Sequence, residues 1–235
     1  MVRVPSERAA IFRAMPRAPR PVSDRLLGAA LLMVALAAVS YVFCDRAVAN
    51  WAFHLSRFWA NTARRLSGLG EGLYWLILVV VVGVTARLRK KHGLAVWAGK
   101  TAIAIAAAGL AANALKVVAG RARPRALDDG VFGFRFFELG YRFNSFPSGH
   151  AAIAGAVAAS ICLARPAAWP LAALLWLALA GGRVLTGSHF VSDVLAGGAV
   201  GIAVMVGVVF LLRPRAAAGE SKRPQRNFPW RKSSS

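Results

Sequence analysis

Six stretches of the chain are apolar for long enough to be read as membrane helices: residues 26–44, 69–86, 94–118, 150–164, 167–184 and 190–212. A helix that crosses the hydrocarbon needs about 20 apolar residues, because every backbone N–H and C=O must find its partner inside the segment. The pattern therefore predicts an all-α, polytopic membrane protein, a bundle of six transmembrane helices. The fourth and fifth stretches are short, as expected of spans whose outer ends sit in protein around a polar site. Between the first two, Trp51, Phe53, Leu55, Phe58 and Trp59 alternate with polar residues and predict a short helix lying along the interface. No internal repeat or long linker breaks the series, so the division is one membrane domain, 26–212, between a basic tail at 1–25 and a second at 213–235. The C-terminal tail mixes Ser, Pro, Lys and Arg with too few apolar residues to offset the entropy of ordering, and both tails are expected to be disordered.

Charge gives the spans a direction. Arg3, Arg8, Arg13, Arg17, Arg20 and Arg25 precede the first span, Arg87, Arg89, Lys90 and Lys91 follow the second, and the run from Arg213 to Lys232 crowds the C-terminal tail. By the positive-inside rule these segments and both termini are cytoplasmic. Arg121, Arg123, Arg125, Arg135 and Arg142 then fall on the opposite face and need another explanation. The first span also imitates a signal peptide, with Ala47-Val48-Ala49 as a cleavage site. Its apolar stretch exceeds the roughly 7–15 residues of a signal core, however, and Asp45-Arg46 intervenes before the small residues, so a retained helix is expected.

Composition narrows the functional classes. Of 235 residues 57% are hydrophobic and 17% charged, more apolar surface than a soluble core requires. A formal net charge of +21 would otherwise point to nucleic acid, but the Lys and Arg cap apolar runs instead of lining one polar face, and no nucleic-acid partner is expected. Cys44 and Cys162 lie within apolar stretches and read as small hydrophobes, so neither a zinc site nor redox chemistry is expected.

The remaining polar residues gather in three segments at span ends: Lys116 with Arg123-Pro124, then Pro147-Ser148-Gly149-His150, then Arg183 with His189 and Asp193. With six spans and cytoplasmic termini, the connections at 119–149 and 185–188 share the outer side, which brings the three together. Lys116, Arg123 and Arg183 are cations without matching acids, costly near a bilayer unless an anion joins them, although snorkelling to headgroups explains most such residues singly. Phosphate fits, since guanidinium forks bind its oxygens in pairs and lysine supplies a point charge. Ser148-Gly149-His150 opens a helix, where backbone N–H groups carry partial positive charge; a plain N-cap is the simpler reading of Ser148 alone. His189 and Asp193 are four apart, so a helix would put them on one face with the carboxylate holding one imidazole nitrogen and the other free to attack. The simpler role for Asp193 is an ion pair with Arg183. His54 and His92 lack such company.

Taken together these residues resemble the three-part signature of the type 2 phosphatidic acid phosphatase superfamily: Lys116, six residues, Arg123-Pro124; Pro147-Ser148-Gly149-His150; and Arg183, five residues, His189, three residues, Asp193. The resemblance covers roughly residues 69–212. It implies a compact six-helix bundle and a hydrolysis that uses no metal and no cofactor, in which His189 attacks phosphorus, His150 protonates the leaving oxygen and then activates water, and Asp193 orients His189. Lys116, Arg123, Ser148, Gly149 and Arg183 would hold the phosphoryl oxygens. One departure matters: the third part normally begins Ser-Arg, and here Gly182 precedes Arg183.

The expected substrate is a lipid phosphate or diphosphate in the bilayer, cleaved at the outer face of the cytoplasmic membrane; undecaprenyl diphosphate, phosphatidic acid, phosphatidylglycerol phosphate and lipid A are the candidates. Phe132, Phe134, Phe136, Phe137, Tyr141, Phe143 and Phe146 suit the headgroup region beside such a site, and anchoring the loop in the interface is an equal alternative. Transfer of the phosphoryl group to another lipid, and a non-catalytic anion-binding or transport protein, are the competing classes. Vanadate-dependent haloperoxidases share the signature but are soluble, against six apolar runs. Two histidines working as base and acid predict a bell-shaped pH dependence.

Overall fold

The structure, a computed structural model, describes residues 20–213. Its main helices are α1 (Arg20–Phe43), α2 (Asp45–Phe53), α3 (Arg57–Leu69), α4 (Gly72–Leu88), α5 (His92–Ala119), α6 (Gly149–Ala164), α7 (Trp169–Leu185) and α8 (Val191–Leu211). Of the basic tails expected at 1–25 and 213–235, the structure describes residues 20–25, which are helical and open α1 instead of being disordered, and Arg213; the rest lies outside the described residues. Among those described there is no named strand, only an isolated bridge between Arg121 and Phe134.

Four segments are long and apolar enough to cross a membrane by length and composition: Pro21–Phe43, His92–Ala119, Pro166–Leu185 and Val191–Leu211. A fifth arises if α3 and α4, bent by 43° at Gly70-Glu71, count as one broken span. The fourth apolar run of the sequence is α6, whose 16 residues reach about 24 Å and fall short of a bilayer's hydrocarbon. The chain is thus a multi-pass helical membrane protein with four spans by length and composition, or five with the bent pair, and the six spans expected from the apolar runs are not reached because α6 is too short. The interface segment expected between the first two spans is two helices, α2 and α3, with the Trp51, Phe53, Phe58 and Trp59 side chains exposed.

Packing is inverted relative to a water-soluble bundle. Small side chains fill the centre, where Ala104, Ala108 and Ala112 of α5 meet Ala152, Ala156 and Ala159 of α6 and Ala199 of α8. Leu31, Leu32, Leu110, Leu171, Leu174 and Leu177 face outward, at home in lipid and nowhere else. Between membrane helices apolar burial supplies little drive, so close backbone approach and dispersion must hold the bundle. The α6–α8 crossing shows how close: a Cβ on Gly201 would collide with the Ala152 carbonyl oxygen, and one on Gly155 would stand 2.6 Å from the Gly198 carbonyl oxygen. This crossing carries the site, because α6 and α8 both start at the same end of it.

Candidate active site

The three polar segments of the sequence converge at one end of the bundle. Lys116 comes from the last turn of α5, Ser148, Gly149 and His150 from the start of α6, Arg183 from the last turn of α7, and Asp193 from the first turn of α8, while His189 precedes that helix and so does not share a helix face with Asp193 as its spacing predicts. The Ser148 amide donates to the Asp193 carbonyl oxygen at 2.9 Å, locking the α6 and α8 N-termini together. Lys116 Nζ lies 3.9 Å from where a Cβ on Gly149 would stand, and His150 has Arg183, His189, Lys116 and Arg123 as its charged neighbours.

Among the described residues Lys116, Arg123 and Arg183 take part in no ion pair. Arg123 is pinned by three backbone carbonyls, Nε to Tyr141 at 2.9 Å, Nη1 to Ser188 and Nη2 to Asn144 at 3.2 Å each, which leaves two of its five N–H groups free. Its guanidinium also stacks 4.0 Å from the Tyr141 ring centre. Burial works against the Arg123 cation, with Tyr141 and Asp193 favouring it. Arg183 Nη1 donates to Ser67 Oγ at 2.9 Å while its buried Nε has no partner. Ser148 Oγ is likewise buried and unpartnered, and makes no capping bond to its helix. Buried donors are seldom left unmade in a folded protein, so orphaned donors beside unpaired cations form a cradle for an anion.

His189 is 2% exposed, and its Nδ1 lies 2.8 Å from the Ser145 carbonyl oxygen, which accepts the Nδ1 proton. That tautomer leaves Nε2 with a lone pair. The Asp193 carboxylate stands 3.7 Å from Nδ1, outside hydrogen-bonding reach, and acts on His189 through intermediaries. Its Oδ2 accepts from Ser145 Oγ at 2.6 Å and from the Phe190 amide at 2.8 Å, fixing the residues on both sides of the imidazole. Burial pushes His189 down to about 4, Asp193 opposing and the Arg183 and Arg123 guanidiniums reinforcing.

Asp193 does not pair with Arg183. Its ionic partner is Arg121, which also bonds Asp45 Oδ2 at 2.6 Å and Ser192 Oγ at 2.6 Å, every member essentially without exposure. Asp45 accepts further from the Ser192 amide at 3.0 Å and from Ser40 Oγ at 2.8 Å. Tyr41, Phe132, Phe134, Phe146 and Phe190 surround the guanidinium at 4.7–5.9 Å from its carbon. Three aromatics assigned from sequence to the headgroup region thus wrap a buried ion-pair knot, and only Phe136, Phe137 and Tyr141 of that group are largely exposed.

Two further residues escaped the sequence reading. Ser145 holds His189 from the loop before the second signature segment, and Ser67 holds Arg183 from α3, 116 positions away. The Gly182 departure has a spatial counterpart here: a Cβ on Gly182 would stand 3.2 Å from both the Ala63 carbonyl oxygen and the Ser67 nitrogen. α3 packs where the signature's serine would project, and brings a hydroxyl of its own.

A cleft of about 490 Å³ opens on the site, walled by Arg64, Ser67 and Glu71 from α3 and its end, by Arg125, and by Arg183, Thr186 and Ser188, with His150 at the inner side. A second crease of about 440 Å³, between α4 and α5, is apolar and carries none of these groups.

The PAP2 superfamily profile matches residues 97–216, just over half of the chain, and includes all three polar segments. The chain belongs to the PAP2 superfamily. Two curated relatives, both named lipid A 1-phosphatase, come from Rhizobium johnstonii (35% identical over 162 residues, 62% of this chain and 65% of the relative) and Rhizobium etli (36% over 152 residues, 58% and 64%). The chain therefore spans just under two thirds of their length. The PAP2-type transmembrane phosphatidylglycerolphosphate phosphatase of Bacillus subtilis shares the fold, with a TM-score of 0.53 at 20% identity over 79% of this chain and 94% of that one. Within the PAP2 superfamily profile lie Lys116, Arg123, His150, Arg183, His189 and Asp193, whereas Asp45 and Ser67 lie before it.

Proposed function

We propose that this PAP2-superfamily protein is a membrane-embedded phosphatase that hydrolyses the terminal phosphate of a lipid phosphate through a phosphohistidine on His189. The observation that carries the reading is the cradle itself: three cations without ion-pair partners among the described residues and two buried donors unpartnered among them, Ser148 Oγ and Arg183 Nε, beside a pair of histidines. Binding alone would need no histidine held as a single tautomer; a nucleophile does.

In the first step the Nε2 lone pair of His189 forms a bond to phosphorus as the bond to the ester oxygen breaks, and His150 gives that oxygen its proton. In the second, water attacks phosphorus, His150 takes the water proton, and the P–N bond breaks to release phosphate and neutral His189. Lys116, Arg123, Arg183, Ser148 and the Gly149 amide stabilise charge spreading over the equatorial oxygens, the main lever available in phosphoryl transfer. Asp193 holds His189 by way of Ser145 and Phe190. The apolar outer surface and the lipid A 1-phosphatase relatives favour a lipid substrate, and lipid A leads the candidates for that reason. Charge asymmetry supports cytoplasmic termini and a site at the outer face of the cytoplasmic membrane.

The test is phosphate release by purified protein from lipid A, undecaprenyl diphosphate, phosphatidic acid and phosphatidylglycerol phosphate in the presence of chelator. Release that persists in chelator and falls at least about 1,000-fold in His189→Ala is expected. Activity that needs an added metal, or that His189→Ala retains, contradicts the reading.

A further inference from the structure

The cleft reaches the site through His150 and Arg183. About 490 Å³ is the room that a drug-sized ligand occupies, and a phosphoryl group fills only a fraction of it. The rest is not built for an acyl chain, since guanidiniums, a carboxylate and hydroxyls line much of it. Two of the chain segments that contribute to the site also line the cleft with exposed cations. On α3, Ser67 is 3% exposed and touches Arg183, while Arg64, three residues earlier and so on the same helix face, is exposed. After α5, Arg123 is buried in the cradle, and Arg125, two residues on, is exposed. Arg64 and Arg125 both line the cleft, and among the described residues neither forms an ion pair; Arg64 bonds only the neutral Asn61 side chain.

We infer that Arg64 and Arg125 form a second anion subsite at the mouth of the cleft, which takes a lipid head bearing another anionic group besides the phosphate to be cleaved. Glu71, Thr186 and Ser188 on the same walls supply acceptors and hydroxyls for the polar atoms between the two anions. The inference rests on the phosphatase reading for which phosphate occupies the cradle. It ranks diphosphate and bisphosphorylated heads above phosphatidic acid, whose head carries one phosphate only.

Non-hydrolysable α,ω-alkane bisphosphonates of increasing spacer length test it, with binding to the full-length protein measured by calorimetry in neutral detergent micelles against the matched alkyl monophosphonate. At one spacing the bisphosphonate is expected to bind about tenfold more tightly than the monophosphonate, one extra charge-assisted contact being of that order. Arg64→Gln and Arg125→Gln should each reduce that gain and leave monophosphonate binding unchanged. No gain at any spacing, or a gain that survives both substitutions, overturns the subsite. So does an equal loss for both ligands, or a loss seen only when anionic lipid is added to the micelles, which would assign the arginines to the membrane surface. Because binding is read without turnover, failure here is distinct from failure of the phosphohistidine, which the His189→Ala assay reads.

Discussion

Two groups of arginines sit at the same end of this bundle and have opposite surroundings. Arg121 is enclosed by Asp45, Asp193, Ser192 and five aromatic rings, with no exposure. Arg123 and Arg183, together with Lys116, lie near one another without an ion-pair partner among the described residues. A charge removed from water must be matched, and the two regions differ in what matches it. In the knot the match is covalently part of the chain, so its role is to fasten α2 and the post-α5 loop to α8. In the cradle, the proposed phosphatase takes its match from the substrate's phosphate.

The same substitution should therefore have different consequences in the two places. Arg121→Met leaves two buried carboxylates uncompensated and is expected to destabilise the protein by about 3–5 kcal/mol, read as a loss of folded protein and a lowered denaturation midpoint in detergent. Arg183→Met removes a repelled cation and should leave the midpoint unchanged or raised. Its phosphate release should fall about 100-fold or more, the order found when one donor of a charge-stabilising set is deleted. Equal stability losses in the two variants would erase the distinction. Ser67→Ala should lower kcat/KM about tenfold by loosening Arg183, with Ser67→Thr retaining more activity than Ser67→Ala; in an Arg183→Met background the Ser67→Ala change should cost almost nothing further. The smallest effect concerns pH. His189 must be neutral to attack, and burial holds it down to about 4, so protonation abolishes activity only as pH falls through that value. The acid limb of kcat/KM is expected near pH 4, well below the ordinary histidine range. An acid limb near 6.5 would mean that His189 is solvated.

Much of the cradle was legible because its residues lie at fixed short spacings within three segments, and the apolar runs announce helices that bring the segments to one end. Arg121 was visible only as one of several cations on the unexpected face. Its partner Asp45 lies 76 positions away, next to what imitates a cleavage site, and no periodicity links the two. Ser67 was hidden for the same reason, since a serine in a polar helix carries no signal until α3 is packed on Gly182. The direct Asp193–His189 hydrogen bond expected from their spacing is replaced by a relay through Ser145, because Asp193 is drawn toward Arg121 and caps its own helix at Phe190. The span count was read from length alone, which cannot foresee the break at Gly70-Glu71.

The most direct test of the account is a search for the covalent intermediate. Purified protein carrying His150→Ala, mixed with a phosphate ester whose leaving group needs no proton, is quenched in base and digested, and the peptides are weighed. A phosphoryl group on His189, absent from the His189→Ala/His150→Ala double variant, is predicted. A phosphoryl group on another residue, or turnover in chelator with no adduct at all, would contradict it.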